Sequence, residues 1–233
     1  MPINPVVSHE AWLAARTALL AKEKELSRQV DEVSAARRAL PWVKVDKPYL
    51  FEGPGGRESL SDLFAGRSQL LVDHFMMAPG WREGCPICSF AADHLDGMIP
   101  HLAARDVTLV VVSRAPWTDI QPFKARMGWR FKWVSSHGSD FNYDYNVSFP
   151  ANDVAAGKAA YNYRTAPGGI EELPGISVFH KASTGDVYHT YSTYGRGCEA
   201  ILGTYRLLDL TPKGRDETGR GNLTDWVKHH DRY

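Results

Sequence analysis

The feature that most constrains the fold is a pair of cysteines, Cys85 and Cys88, in the sequence Gly-Cys-Pro-Ile-Cys. An apolar run rich in β-forming residues, 69–77, precedes the pair and predicts a buried strand. After Cys88, apolar residues recur every three or four positions as far as Leu102, which is the period of a helix. The sequence therefore predicts that the two thiols lie where a strand ends and a helix begins.

This position favours a reactive thiolate. Backbone N–H groups at the start of a helix are unpaired and carry partial positive charge, which stabilises an anion. In C-x-x-C pairs at such a position the thiol pKa can fall from about 8.5 to roughly 3.5–7.5. Pro86 suits the first helical turn because it has no N–H group to leave unsatisfied. We therefore predict that Cys85 is the exposed, attacking thiol and that Cys88 is the resolving thiol.

The composition excludes several classes of protein. The 233 residues carry 27 basic and 27 acidic side chains, so we expect neither a nucleic-acid partner nor binding to an anionic membrane. No apolar run approaches about 18 residues, so we expect no transmembrane helix. The first residues lack the basic and apolar regions of a signal peptide, and three cysteines do not make a secreted disulfide framework. We expect a cytoplasmic protein with one functional dithiol and no cofactor.

The N-terminal part, 1–44, predicts a helical extension. The sequence from Ser8, a residue suited to an N-cap, to Leu40 is rich in helix-forming residues, and Pro41 ends the helix. Apolar residues recur at exact seven-residue spacing in this helix and form one narrow seam: Trp12, Leu19, Leu26, Val33 and Leu40. The second position of each seven-residue repeat, which is also apolar in a coiled coil, is mostly polar here. Such a seam predicts packing across the domain or against a second subunit in a homodimer, and it is too polar alongside for a coiled coil.

The central part of the chain, 45–210, predicts a mixed α/β domain. A hairpin at 49–60 precedes the strand and the dithiol. The uninterrupted β-branched run at 106–113 is typical of a central parallel strand buried on both faces, and it completes a βαβ unit. Residues 211–233 form a polar tail. The remaining predicted elements are a helix, a strand, a hairpin and a closing helix, at 117–127, 129–134, 173–192 and 199–210.

This order of elements resembles the thioredoxin fold. In that superfamily a cis-proline precedes the third core strand and packs beside the dithiol, and the resemblance assigns this place to Pro174, with a cis bond after Leu173. The segments 49–75, 110–113, 123–129 and 134–136 resemble the peroxiredoxin and thiol-peroxidase branch. A peroxiredoxin carries Thr or Ser three residues before its peroxidatic cysteine, whereas this chain has Arg82 there. The site therefore looks more like that of a dithiol oxidoreductase.

A narrower resemblance comes from the motif W-x-x-x-C-P-x-C, the stretch 128–133 and the endings 208–216 and 229–233. These resemble a bacterial thioredoxin-like family of uncharacterised function, described as predicted dithiol–disulfide oxidoreductases. The resemblance implies exchange with a protein or small-molecule disulfide through Cys85 and Cys88, followed by recharging by an external reductant. The residues expected to contact the substrate are Trp81, Pro86 and Pro174.

Two other functions remain open on the sequence. The chain could be a thiol-dependent peroxidase, in which Cys85 becomes a sulfenic acid that condenses with Cys88, although the missing hydroxyl at Arg82 counts against this. It could also be a non-catalytic scaffold with a thioredoxin fold, dimeric through the helix at 8–40. Fold alone does not decide between these functions.

A zinc site is a further alternative. Tetrahedral zinc usually takes a second pair of ligands from another element, and His229 and His230 could supply one only by folding back onto the dithiol. We expect no metal. The candidate ligands near the dithiol are Cys85, Cys88, His94 and His101.

Several other side chains have two interpretations. Cys198 is either a distant resolving thiol or a small apolar residue in the first turn of the closing helix. His74 is either a base facing the dithiol or a core histidine. Trp81 either shields the thiols or only packs. The tyrosine-rich loop 141–163 either lines a groove or is a surface insertion tied down by hydroxyl hydrogen bonds.

Overall fold

The computed structural model describes residues 4–166, 169–217 and 224–233. The chain divides into two units, 1–41 and 42–233. The dithiol lies in the second unit. The domain boundaries expected from the sequence remain predictions.

The first unit contains the long helix α1 (His9–Arg38). Ser8 is its N-cap, as predicted, and the Ser8 hydroxyl accepts a hydrogen bond from the Ala11 N–H at 3.2 Å. No residue of α1 is buried. The seam residues are between 46% and 61% exposed: Trp12, Leu19, Leu26, Val33 and Leu40. Dimerisation through this seam remains a prediction.

The described residues of the second unit form an eight-stranded sheet and a separate two-stranded ribbon. The hairpin, the central strands and the C-terminal hairpin expected from the sequence are all present. The strands, in chain order, are β1 (Val43–Lys44), β2 (Leu50–Gly53), β3 (Gly56–Ser59), β4 (Gln69–His74), β5 (Val107–Ser113), β6 (Lys132–Ser135), β7 (Ala160–Tyr161), β8 (Arg164–Thr165), β9 (Gly175–Lys181) and β10 (Val187–Tyr194).

The strand order of the large sheet is β1-β10-β9-β4-β5-β6-β2-β3. The strand that leads to the dithiol, β4, is central: it pairs in parallel with β5 and antiparallel with β9. Strand β6 continues the parallel part, and β10 continues the antiparallel part. A βαβ unit joined to an antiparallel hairpin on the other side of its first strand is the thioredoxin-like arrangement, so the predicted fold is confirmed.

The helix predicted at 117–127 is present, whereas the two other predicted helices of the second unit are divided into shorter pieces. The helix expected after the dithiol is two helices, separated at Asp93 and His94, whose side chains bond to Trp129 and Thr204. The closing helix is a 3₁₀ turn, Gly195–Ile201, followed by a short α-helix. The α-helices are α2 (Pro86–Ala92), α3 (Leu95–Ala103), α4 (Trp117–Arg126), α5 (Phe141–Asp144), α6 (Ala151–Ala155) and α7 (Gly203–Leu208).

The two faces of the sheet carry separate cores. Because side chains alternate along a strand, Leu70 and Val72 of β4 pack into one cluster with Phe141 and Phe179. The opposite face carries a second cluster that includes Phe75, Phe123, Trp129, Trp133 and Cys88. The dithiol therefore rests on the aromatic face of the sheet. No helix among the described residues is long and apolar enough to cross a membrane.

Candidate active site

The dithiol lies at the predicted junction of strand and helix. Cys85 is the N-cap of α2 and Pro86 occupies the first turn, as expected from the missing N–H of proline. The loop that connects β4 to α2 is fixed by backbone hydrogen bonds. The Cys85 N–H donates to the carbonyl of Met76 at 3.0 Å, and the Ala115 N–H donates to the carbonyl of Met77 at 2.8 Å. The backbone thus holds Cys85 beside the end of the central strands.

Gly84, immediately before the first cysteine, makes a close approach to the core. A Cβ atom at this position would lie 2.3 Å from Cε1 of Phe75 and 2.8 Å from Cε1 of Phe123. Both rings are almost fully buried and cannot move aside without disturbing the core. Only glycine therefore lets the loop pass this close to the aromatic cluster.

The two thiols have different environments. Both are free, with Cys85 half-buried and Cys88 buried. The hydrogen bond from the Cys88 side chain lowers the pKa of Cys85 to about 7, helped by the backbone N–H groups of Cys88 and Ile87 and opposed by burial. The same side-chain contact, together with burial, raises the pKa of Cys88 well above its ordinary value. A thiolate therefore forms first on Cys85.

A buried carboxyl group that was not predicted, Asp73, lies on β4, and its charge interacts with Cys88 of the dithiol. Its side chain points to the same face of the sheet as Phe75 because the two residues are two positions apart on an extended chain. Burial raises the pKa of Asp73 to about 7, and its Oδ2 atom has no hydrogen-bond partner among the described residues. Its charge also contributes to the raised pKa values of Cys88 and Cys198. The sequence feature that could have pointed to Asp73 is that it is an acidic residue within an otherwise apolar predicted strand.

Residues 224–233, which we call the C-terminal segment, pack against residues 75–85, the connection between β4 and α2, which we call the dithiol loop. His229 is buried, and its Nε2 atom lies 2.9 Å from the carbonyl oxygen of Gly84. Its Nδ1 atom lies 3.3 Å from Nη2 of Arg126. Since a guanidinium can only donate, Nδ1 accepts and the Nε2–H group donates to Gly84. The sequence left open whether the C-terminal histidines approach the dithiol, and His229 does.

Ion pairs also fix the C-terminal segment. Arg126 donates to both carboxylate oxygens of Asp231, at 2.8 and 3.0 Å, and these bonds lower the pKa of Asp231 to about 2. Arg126 also contacts Glu83 at 2.7 Å, and Arg232 bonds to the same carboxylate. The bond from Arg232 is the main cause of the lowered pKa of Glu83. The segment is therefore tied to α4 and to the loop before Cys85.

Apolar contacts complete this packing. Val227 is buried in a small cluster with Phe90 of α2, and the ring of Trp226 meets the ring of Phe90 edge to face at 5.7 Å. His230 Nδ1 lies 2.6 Å from Asp93, just after α2. The C-terminal segment thus covers one side of the helix that carries the dithiol.

A cavity of about 480 Å³ lies between the dithiol loop and the C-terminal segment. One side is lined by Trp81, Glu83, Gly84, Cys85 and Pro86. The other side is lined by Val227, Lys228, His229 and Arg232. Two of the three residues expected to contact substrate, Trp81 and Pro86, therefore share a cavity with Cys85.

The third expected residue, Pro174, is not among the residues that line this cavity. The predicted cis bond before it is wrong, because no peptide bond between described residues is cis. The trans isomer is the lower in energy for most X–Pro bonds, and the Pro174 carbonyl is held by the Tyr161 hydroxyl at 2.7 Å. Pro174 does precede β9, as the resemblance implied, and the next residue, Gly175, pairs with His74.

His74 and Cys198 both have the structural role that was one of their two interpretations, as a core histidine and as a small residue packed in a helical turn. His74 lies on the face of β4 opposite the dithiol, with Nε2 at 2.8 Å from the Ser177 hydroxyl, and burial lowers its pKa to about 3. It is a core histidine. Cys198 lies in the 3₁₀ turn after β10, where its thiol donates to the Thr193 carbonyl at 3.8 Å. Burial raises the pKa of Cys198 to about 12.

His94, Tyr161 and Tyr163, which the sequence singled out, have hydrogen-bond partners within the domain. His94 Nε2 accepts from the Thr204 N–H at 3.1 Å. Within the described ranges, no group of three or more His, Cys, Asp or Glu side chains is arranged to hold a metal ion. Tyr161 and Tyr163 donate to backbone carbonyls, the latter to Ser192 at 2.9 Å. These tyrosines therefore tie down their loop.

Comparison with solved structures finds similar proteins at low identity. PrxQ from Xylella fastidiosa is 14% identical with a TM-score of 0.43, over 70% of this chain and 89% of that chain. Peroxidoxin BcpB from Mycobacterium tuberculosis is 13% identical with a TM-score of 0.44, over 72% and 97%. A Chlorobium tepidum protein described as thiol:disulfide interchange protein DsbE is 17% identical with a TM-score of 0.42, over 72% and 98%.

Comparison with curated proteins finds no match. A family model described as bacterial protein of unknown function (DUF899) matches residues 1–233. This agrees with the uncharacterised bacterial family that the motifs around the dithiol and at the end of the chain resemble. The chain belongs to the bacterial DUF899 family.

Proposed function

We propose that this protein is a dithiol–disulfide oxidoreductase that acts through Cys85 and Cys88. The observation that carries the proposal is the difference between the two thiols. Cys85 lines a cavity and has a pKa of about 7, so about half of it is thiolate at neutral pH. Cys88 is buried and has a raised pKa. Cys85 is thus suited to attack the substrate disulfide, and Cys88 is suited to stay protonated until the mixed disulfide has formed.

The reaction consists of two exchanges. The Cys85 thiolate attacks one sulfur of the substrate disulfide, the S–S bond breaks, and the first substrate thiol leaves as a thiolate that takes up a proton. The Cys88 thiol then loses its proton and attacks Cys85 in the mixed disulfide, which releases the second substrate thiol. The protein ends with a Cys85–Cys88 disulfide, and two electrons have passed to the substrate. An external reductant restores the dithiol.

Asp73 is suited to take the proton from Cys88. A base must have a pKa near the working pH to accept a proton efficiently, and the pKa of Asp73 is raised to about 7 by burial. Its unpartnered Oδ2 atom is available as an acceptor, and its charge interacts with the Cys88 thiol. In this proposal Asp73 is a proton acceptor for the second exchange.

A redox titration tests the proposal. The protein is equilibrated with glutathione buffers of known ratio, free thiols are trapped, and the Cys85–Cys88 disulfide is quantified by mass. We expect a reversible two-electron transition between about −120 and −270 mV, the range of C-x-x-C oxidoreductases. The Cys88→Ser variant is the control and forms only a mixed disulfide with glutathione.

Two results would contradict exchange chemistry. If no Cys85–Cys88 disulfide forms at any glutathione ratio, the chain is better described as a scaffold. If Cys85 stays unmodified by disulfides but is oxidised by hydrogen peroxide to a sulfenic acid, the thiol-peroxidase alternative replaces the proposal.

A further inference from the structure

We propose that the cavity between the dithiol loop and the C-terminal segment binds small disulfides that carry negative charge. This inference rests on the proposed exchange at Cys85 and names its substrate class. The cavity places Cys85 between a wall that contains Trp81 and Pro86 and a wall that contains Val227, Lys228, His229 and Arg232.

The size of the cavity suits a small molecule. Its volume of about 480 Å³ lies within the range of about 300–1,000 Å³ that is usual for small-molecule sites. The C-terminal wall is not loosely placed, since Val227 and His229 are buried and Asp231 is paired with Arg126. A protein disulfide would need an open surface on which its backbone could lie. Here one side of Cys85 is occupied by this wall.

The charges on the cavity wall favour an anion. Three charged side chains line it: Glu83, Lys228 and Arg232. Glu83 is bonded to both Arg232 and Arg126, so its charge is compensated within the wall. Lys228 is exposed, and its ammonium group forms no ion pair with any residue in the described ranges. Apart from the Cys85 thiolate itself, the lining therefore carries one uncompensated positive charge, on Lys228.

The position of Lys228 on the wall is defined by its neighbours. Its backbone N–H donates to the Tyr233 hydroxyl at 3.1 Å, and the adjacent His229 is anchored to Gly84. The Lys228 side chain thus starts from a fixed point opposite Cys85. A carboxylate at the end of a short disulfide would meet this ammonium group while its sulfur faces the thiol, and the apolar surfaces of Trp81 and Val227 would contact the methylene groups.

The chemistry balances with the disulfide as oxidant. The substrate R–S–S–R accepts two electrons and two protons and leaves as two thiols. The protein loses the same electrons and protons and forms the Cys85–Cys88 disulfide. Attraction between Lys228 and the substrate carboxylate offsets the repulsion between that carboxylate and the Cys85 thiolate.

A series of three disulfides with the same two-methylene spacer but different charge tests the inference: dithiodipropionate (anionic), 2-hydroxyethyl disulfide (neutral) and cystamine (cationic). In the Cys88→Ser variant, the rate of mixed-disulfide formation on Cys85 is followed by mass. Because the thiol released from each disulfide has its own pKa, which alters the exchange rate, every rate is divided by the rate of the same disulfide with 2-mercaptoethanol. We expect this normalised rate to be about five-fold higher for dithiodipropionate than for cystamine at low salt, and the difference to shrink at about 1 M salt because surface charges are screened.

A second substitution tests whether the preference for anionic disulfides comes from Lys228. Adding Lys228→Gln to the Cys88→Ser variant should lower the ratio of the anionic to the neutral rate by about three-fold. Lys213→Gln, which removes an exposed lysine that does not line the cavity, is the matched control and should leave this ratio unchanged.

The outcomes separate the inference from the proposed function. If the neutral disulfide fails to react with Cys85, the exchange function itself is wrong. If the neutral disulfide reacts but the normalised rate of cystamine equals or exceeds that of dithiodipropionate, or Lys228→Gln behaves like Lys213→Gln, exchange stands and the anionic substrate class is overturned.

Discussion

Cys85 and Cys198 provide a direct comparison of two thiols in one domain. Both are half-buried, and both lie at helical turns, Cys85 before α2 and Cys198 within a 3₁₀ turn. Their acidities differ widely, because the pKa of Cys85 falls to about 7 and that of Cys198 rises to about 12. Exposure therefore does not decide which thiol is reactive.

Hydrogen-bond donors account for the difference. The sulfur of Cys85 receives bonds from the Cys88 side chain and from the N–H groups of Cys88 and Ile87. Cys198 instead donates its own hydrogen to Thr193, and burial disfavours its anion. A thiolate is stabilised where several donors converge on the sulfur, so the start of α2 provides chemistry that the turn after β10 does not.

The largest expected effect on activity comes from removing Cys85, and removal of Cys198 is the comparison. Cys85→Ser should lower the rate of disulfide exchange by more than about a thousand-fold, because serine supplies no comparable nucleophile. Cys198→Ser should leave the rate unchanged. Reduction of a small disulfide under single-turnover conditions measures both, and an equal loss in the two variants would remove the distinction between the thiols.

The next largest effect is on folding stability and comes from Asp73, whose charge raises the pKa of both Cys88 and Cys198. Its pKa is raised from 3.8 to about 7 by burial, so the unfolded chain loses the proton at lower pH than the folded chain. Folding stability is therefore lost as the pH rises from about 4 to about 7, by up to about 4 kcal/mol for a shift of this size. Asp73→Asn should remove this loss.

Urea unfolding of the parent and the Asp73→Asn variant at pH 4 and pH 8 measures the effect. The variant should gain stability relative to the parent at pH 8, and the difference at pH 4 is its internal control. A parent-to-variant difference that is the same at both pH values would show that Asp73 is ionised normally in the folded protein.

Labelling with iodoacetamide sharpens the comparison further. At pH 7 the thiolate fractions implied by the two pKa values differ by more than about 10⁴-fold, and the weaker nucleophilicity of the more acidic thiol reduces the difference in rate to about a few hundred-fold. The rate at Cys85 should level off above about pH 7. Peptide mass analysis of each site across pH 6 to 10 checks this, and parallel pH profiles would contradict it.

The smallest effect comes from the ion pairs beside Cys85. Arg126→Gln removes the bonds to Asp231 and Glu83, so the C-terminal segment should open more often. Labelling of Cys85 by a bulky maleimide should then rise by about two-fold, the scale expected for partly exposed ion pairs. Labelling of Cys198 should not change.

The control for this substitution is Arg130→Gln. The guanidinium of Arg130 pairs with Asp96 at 3.7 Å and is 86% exposed. If Arg130→Gln accelerates labelling of Cys85 as much as Arg126→Gln does, the ion pairs of the C-terminal segment do not control access to the thiol.

Local patterns in the sequence predicted much of this site. The strand before the dithiol, the placement of Pro86 and the start of α2 follow from side-chain periodicity and from the properties of proline, which act over a few residues. The core role of His74 also agreed with its default interpretation. Such features need no knowledge of distant parts of the chain.

Features that depend on distant contacts could not be predicted. His229 meets Gly84 across 145 positions, and the polar composition of the tail gave no sign of that contact. The importance of Asp73 depends on which face of β4 points toward Cys88, which the apolar run alone does not define. The isomer before Pro174 was assigned by analogy to a superfamily, and in this chain the trans form is present.

The tight passage of Gly84 over Phe75 and Phe123 links the reactive loop to the fold as a whole. Lifting the loop away from these rings would expose buried aromatic surface and break the hydrogen bond from the Cys85 amide to Met76, so local opening of the loop is costly. Deuterium uptake at that amide should therefore follow global unfolding rather than local breathing. In this protein, the thiolate reactivity of Cys85 and the folded structure of the domain should therefore be lost at the same concentration of denaturant.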